Sequence, residues 1–154
     1  MLLLLLLTAL LLPTLLLAAP SSGPSCAPTA YTICTYTIDA TPPDQHVHFT
    51  FTSTYTSLPA SIVDPAVHGS VCDAASTADG NFPNEIPCTT GRASVEVDLR
   101  GRVGSGRYQV LHFWKCEGKN WMSSTPVDID AASGGKTFQP ENVRQMPCGA
   151  PTCP

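Results

Sequence analysis

The sequence predicts an all-β fold: a disulfide-stapled antiparallel β-barrel or sandwich of short strands, with no substantial helix. Several short segments alternate apolar and polar residues, which is the pattern of strands with one buried face. Apolar residues nowhere repeat at helical spacing over several turns. The chain of 154 residues also contains seven cysteines, a density that is typical of small exported domains held together by disulfides.

The first 19 residues form a Leu-rich apolar run that ends in small residues, as secretory signal peptides do. We expect cleavage after Ala18 or Ala19 and a secreted, extracellular product. The run has no initial Lys or Arg, so an uncleaved anchor stays open as an alternative. The chain then divides into a signal peptide (1–19), a flexible Pro/Ser-rich leader (20–30), a β-barrel domain (31–130) and a Gly/Pro-rich tail (131–154).

The charge balance of the chain and the absence of certain short motifs argue against several classes of function. Acidic residues outnumber basic ones, 12 to 8, and there is no basic cluster. Such a surface does not attract nucleic acid or anionic membranes, so neither is expected as a partner of the mature chain. The sequence also lacks a CxxC pair and a Gly-x-Ser-x-Gly elbow, and we expect no cofactor and no metal.

Strand patterns begin directly after the leader. Residues 31–38 are rich in Tyr, Thr and Ile, and residues 46–56 show the clearest alternation, with Val47, Phe49 and Phe51 on one face. Residues 58–87 are dense in Pro, Asp, Asn and Gly and predict one or two short strands. The tail has only weak strand signals, around residues 136–138.

The segment 88–128 predicts the centre of the fold. In ASVEVDLR, Val95, Val97 and Leu99 face inward, while Glu96, Asp98 and Arg100 face solvent. After a Gly-rich turn, RYQVLHFWK is apolar on both faces and predicts a central strand. NWMSSTPVDI then predicts a third strand of the same meander.

Two groups of polar residues could form binding or catalytic sites. His46 and His48 share one strand face, and His68 or Asp44 could complete a metal site with them. Two histidines that alternate with Thr on a wet strand face need no metal, and we favour that interpretation. Glu96 and Asp98 could act as a carboxylate pair in glycoside cleavage, but charged residues on a solvent face are the simpler interpretation.

A small secreted ribonuclease is the alternative function. Its residue types are present as His46 or His48, Glu96, Arg107 and His112. A carboxylate or histidine would remove the 2′-OH proton, another histidine would protonate the leaving oxygen, and Arg would stabilise the phosphate. His112 lies between apolar neighbours, however, and we interpret it as a histidine of the core or sheet.

The chain combines the expected signal peptide, an early cysteine (Cys26), a strand leading to Phe49 and Phe51, and a cysteine pair at Cys72 and Cys88. An alternating strand follows directly after Cys88, and a Gly turn leads into another apolar strand. In these features, over roughly residues 26–127, the chain resembles the Alt a 1 family of small secreted fungal β-barrel proteins.

The resemblance implies a bridge between Cys72 and Cys88, and it places Cys26 where the family has the cysteine that links two barrels into a homodimer. Cys34 and Cys116 are additional to the family pattern, and a bridge between them would use both. Two cysteines in the tail, Cys148 and Cys153, are left to form a local loop or to pair otherwise.

We therefore predict a secreted, non-enzymatic, cysteine-rich protein. The resemblance implies an effector-like role, as an allergen or an elicitor of plant defence, through surface recognition of a host extracellular protein or a small ligand. Two alternatives stay open, the small hydrolase described above and a structural or surface-coat protein.

Overall fold

The computed structural model of the chain describes residues 26–39, 41, 45–99, 107–129, 132 and 134–147. Several residues named above lie outside this part: the expected signal peptide, most of the leader, Asp44, Arg100, Cys148 and Cys153. Within the described residues, no helix is long and apolar enough to span a membrane.

Short strands and one 3-10 turn make up the regular structure of the described part. In chain order they are β1 (Ala30–Asp39), β2 (His46–Thr54), β3 (Ile62–Val63), the 3-10 turn (Pro65–His68), β4 (Ser70–Ala75), β5 (Ile86–Pro87), β6 (Val95–Asp98), β7 (Arg107–Cys116), β8 (Lys119–Asp128), β9 (Lys136–Phe138) and β10 (Arg144–Gln145).

These strands form two antiparallel sheets. The four-stranded sheet has the order β4-β2-β1-β9, and the six-stranded sheet has the order β10-β8-β7-β6-β5, with β3 also paired to β7. The all-β prediction is therefore confirmed. No ladder joins the two sheets in the part of the chain that the structure describes, so the fold is a sandwich and barrel closure is not seen.

The alternation in the sequence correctly predicts which side chains fill the space between the sheets. Val47, Phe49 and Phe51 of β2 are buried, and so are Val95 and Val97 of β6. Successive side chains of a strand point to opposite faces, so burial of one set in the core directs the other set outward. The predicted central strand is β7, which lies between β6 and β8 in the six-stranded sheet.

The segments with weak sequence signals also contribute strands. Residues 58–87 contain three short strands and the 3-10 turn, where one or two strands were expected. The tail supplies β9 to one sheet and β10 to the other, so its strands extend the sandwich beyond residue 130. Gly135 allows β9 to approach β1, because a Cβ at this position would overlap the carbonyl oxygen of Ile33.

One disulfide joins the two sheets. Cys72 of β4 is bonded to Cys88, which directly follows β5, and both residues are buried in the core. This is the pairing that the family resemblance implied. It attaches the edge strand β4 to the neighbouring edge of the six-stranded sheet.

The second disulfide shows that two expectations about the cysteines are wrong. Cys116 is bonded to Cys26 rather than to Cys34, so Cys26 is not available to link two chains. The physical reason is that Cys26 is held next to the end of β7, where its carbonyl oxygen accepts a hydrogen bond of 2.6 Å from Trp114 Nε1. Cys34 has its side chain on the exposed side of β1 and is a free thiol.

Candidate functional site

A groove of about 360 Å³ lies against the outer face of the six-stranded sheet. We call it the outer groove, and its lining includes Val63, Arg92, Glu96, Phe113, Asn120 and Met146. The sheet register explains why these side chains meet. Asn120 pairs with Lys115 across β7 and β8, and Met146 N donates to the carbonyl oxygen of Asn120.

Glu96 lies in the lining of the outer groove, and the prediction that it faces solvent freely is wrong. It does point away from Val95 and Val97 and thus out of the sandwich core, but only 4% of its surface is exposed. Its backbone pairs with Pro87 of β5 on one side and with Leu111 of β7 on the other. Alternation predicts the face of the sheet, whereas neighbouring segments determine whether that face is covered.

The loop between β5 and β6 places Arg92 over Glu96. Gly91 has a φ of +91°, a left-handed conformation that suits glycine, and its N–H donates to the carbonyl oxygen of Cys88. The chain therefore turns sharply and brings Arg92 Nη1 to 2.8 Å from Glu96 Oε1. The contact is an ion pair without hydrogen-bond alignment, because Glu96 Oε1 is buried and accepts no hydrogen bond.

The environment of Glu96 alters its acidity. Burial raises the pKa of the Glu96 carboxyl above its ordinary value, since removal from water disfavours the charged form. The positive charge of Arg92 acts in the opposite direction, and the nearby negative charge of Glu85 raises the pKa further. The outer groove thus contains a carboxylate whose charge is only partly compensated.

Aromatic and apolar side chains form much of the remaining wall of the outer groove. Phe113 and Met146 are half-buried, and Val63 is one of the large apolar residues with high exposure, at 58%. Trp114 and Trp121 also border the outer groove, although their paired positions on β7 and β8 place both indoles on the same face of the sheet as His112. The indole nitrogen of Trp121 is buried and has no hydrogen-bond partner among the described residues.

His112 lies on the opposite, inner face of the same sheet, in a buried polar network. Its Nε2–H donates to Asp64 Oδ1 at 3.0 Å, and both side chains are 0% exposed. On the other side of the ring, Nδ1 is 3.0 Å from the Tyr31 hydroxyl, which is in turn 2.7 Å from Ser123 Oγ. The interpretation of His112 as a core histidine is confirmed.

Asp64 accepts more hydrogen bonds than the other groups of this network. Its carboxylate accepts hydrogen bonds from the Ser53 hydroxyl at 2.5 Å, the Tyr55 hydroxyl at 2.9 Å and the Ala66 N–H at 2.9 Å. Burial alone would raise the pKa of Asp64, but His112, the Ser53 hydroxyl and the Ala66 N–H together hold it below its ordinary value. The network therefore stabilises an ionised carboxylate inside the sandwich.

The structure does not bring together the residues of the hypothetical ribonuclease. His112 is enclosed between the sheets, whereas Glu96 lies on the outer face of the six-stranded sheet. His46 and His48 are on β2 of the other sheet, partly exposed. Arg107 begins β7 opposite Asp128, and its side chain lies outside what the structure describes.

The two histidines of β2 share an acidic neighbour on β4. His46 Nε2 is 2.5 Å from Asp73 Oδ1, and His48 Nδ1 is 3.5 Å from Asp73 Oδ2. His68 is exposed at the end of the 3-10 turn. No group of three or more His, Cys, Asp or Glu side chains is arranged to hold a metal ion within the described ranges.

Several residues of the outer groove carry no signal in the sequence. Arg92 and Met146 come from a loop and from the weakly patterned tail, where no periodicity marks an inward or outward face. The spacing of Arg92 and Glu96, four residues apart, was the one local signal of their contact, but this spacing predicts side-chain contact only on a helix.

No protein-family model, no curated protein and no solved structure matches this chain.

Proposed function

We propose that this chain is an extracellular, non-enzymatic recognition protein that binds small amphipathic ligands in the outer groove. The outer groove itself is the observation that carries the proposal. Its volume falls within the usual range of ligand sites, and it combines apolar walls with a few polar groups, which is the usual composition of such sites.

Two further features support this proposal. The disulfides Cys26–Cys116 and Cys72–Cys88 suit an oxidising compartment such as the extracellular space. The lining residues of β6, β7 and β8 belong to a paired sheet, which keeps their positions fixed in the absence of ligand. The effector-like role that the Alt a 1 resemblance implies is part of the proposal, with ligand binding as its molecular basis.

A variant that fills the outer groove tests the proposal. Ala93 is exposed and lines the outer groove, so Ala93→Phe should occupy its space and abolish binding. Ala75, at the end of β4, is also exposed but is not part of the lining, and Ala75→Phe is the matched control. The ligands are a set of small aromatic amines, alcohols and carboxylic acids, and tryptophan fluorescence is the readout, because both tryptophans border the outer groove.

We expect at least one compound to change the fluorescence of the wild-type protein and of Ala75→Phe in a saturable way, and to have no effect on Ala93→Phe. Saturable binding that survives in Ala93→Phe would contradict the proposal, and so would the absence of binding by every compound.

A further inference from the structure

We infer that the ligand of the outer groove is an organic cation, a primary ammonium or guanidinium group on an apolar body, which replaces Arg92 at Glu96. This inference rests on the proposed function and adds the chemical class of the ligand. It also assigns Arg92 a role as an internal competitor that occupies the carboxylate until a ligand arrives.

The first observation is the incomplete satisfaction of Glu96. A buried carboxylate needs hydrogen-bond donors, because it has lost those of water. Glu96 is 4% exposed, and its buried Oε1 accepts no aligned hydrogen bond although Arg92 Nη1 is 2.8 Å away. A ligand N–H group that enters the outer groove could approach this oxygen in line.

The second observation is the difference in exposure between the two partners of the ion pair. The Arg92 side chain is 59% exposed, whereas that of Glu96 is 6% exposed. Arg92 can therefore rotate into water with little loss of solvation, but Glu96 cannot follow it. Because an unpaired buried charge is strongly unfavourable, a group that displaces Arg92 must itself be a cation or a strong donor.

The other charged residues of the lining do not reverse the preference of the outer groove for a cationic ligand. Lys115 and Glu85 both line the outer groove, so each sign of charge occurs twice there. Lys115 and Arg92 are exposed, and water screens their charges, whereas Glu96 is the one charged member of the lining that is buried. The buried acceptor thus determines which ligand charge is favoured.

The walls of the outer groove suit the apolar body of such a ligand. Phe113 and Met146 offer aromatic and thioether surface, and Val63 extends it towards solvent. Aromatic side chains attract cations through their ring faces, which adds to the preference for an ammonium or guanidinium group.

Three phenethyl compounds of similar shape and different charge test the inference by isothermal titration calorimetry. Phenethylamine is the cation, phenethyl alcohol the neutral control and phenylacetate the anionic control. We expect phenethylamine to bind roughly tenfold tighter than either control, because hydrogen bonds to charged groups are the stronger class. If the alcohol or phenylacetate binds as well as the amine, the inference fails while the proposed function stands. If none of the three compounds and no member of the wider compound set binds, the proposed function fails with it.

Two variants separate the roles of the ion-pair partners. Glu96→Gln keeps the shape of the side chain and should reduce phenethylamine affinity to that of phenethyl alcohol. Arg92→Ala removes the competitor and should raise phenethylamine affinity several-fold, whereas Lys119→Ala removes an exposed cation outside the lining and should have no such effect. Unchanged or weaker amine binding by Arg92→Ala would overturn the competitor role, and undiminished binding by Glu96→Gln would overturn the carboxylate as the receptor of the cation.

Discussion

Asp64→Ala is expected to destabilise the protein by about 3 to 5 kcal/mol, because each buried donor left without its acceptor costs about 1 to 3 kcal/mol. The loss is large because several groups lose their acceptor together. His112 and the hydroxyls of Ser53 and Tyr55 would remain inside the sandwich with unsatisfied donors. Denaturant unfolding, with all disulfides intact, measures the change in the free energy of unfolding.

Asp73→Ala is the matched control for this experiment. Asp73 also contacts a histidine, His46, but its side chain is 54% exposed. Exposed ion pairs contribute less than about 1 kcal/mol, so the control should lie close to the wild type. A result for Asp64→Ala within the same limit would contradict the assignment of the buried network as a major source of stability.

The same network predicts the acid dependence of stability. The folded protein holds the pKa of Asp64 below its ordinary value of 3.8. The contribution of the ionised carboxylate is therefore complete above about pH 4 and is lost as the pH falls through the lowered pKa of the folded state. The stability difference between the wild type and Asp64→Asn should therefore shrink as the pH falls through that range.

Removal of the Cys26–Cys116 disulfide is expected to lower the free energy of unfolding about as much as Asp64→Ala does. The bond closes a loop with a sequence separation of 90 residues, against 16 for Cys72–Cys88. In the chain-entropy model these loops correspond to about 4.6 and about 3.1 kcal/mol, because a longer closed loop restricts the unfolded chain more. We expect Cys26→Ala/Cys116→Ala to lower the free energy of unfolding by about 4 to 5 kcal/mol.

The double variant Cys72→Ala/Cys88→Ala is measured alongside, and peptide mapping of the unreduced wild type establishes the bonds present. The mapping should recover Cys26 linked to Cys116 within one chain. A covalent dimer through Cys26, or wild-type stability of the Cys26→Ala/Cys116→Ala variant, would contradict the role assigned to this bond.

Strand faces could be predicted from the sequence because they depend on a local periodicity. Val47, Phe49 and Phe51 alternate with Thr and His, and their burial follows from the two-residue repeat of a strand. The same rule assigned Glu96 to the outer face correctly. Its burial could not be predicted, because it depends on tertiary contacts such as the one with Arg92 of the loop between β5 and β6.

Non-local contacts also explain the other differences between the predictions from the sequence and the structure. Pro, Ser and Gly around Cys26 indicate a flexible arm, yet Trp114 binds its carbonyl oxygen from 88 residues further along the chain. Asp64 lies in a segment without clear periodicity, and its partner His112 is 48 residues away. Neither position carries a sequence signal for its partner, so the disulfide pairing and the buried network required the three-dimensional structure.

The most direct test of the outer groove as the functional site is an NMR titration that maps ligand contacts on the backbone amides. The ligand is whichever phenethyl compound binds most tightly. We expect saturable shifts at Glu96, Phe113 and Asn120, which lie on three neighbouring strands of the six-stranded sheet, and no comparable shifts on β1 or β2. Shifts concentrated on the four-stranded sheet, or shifts that do not saturate, would contradict this expectation.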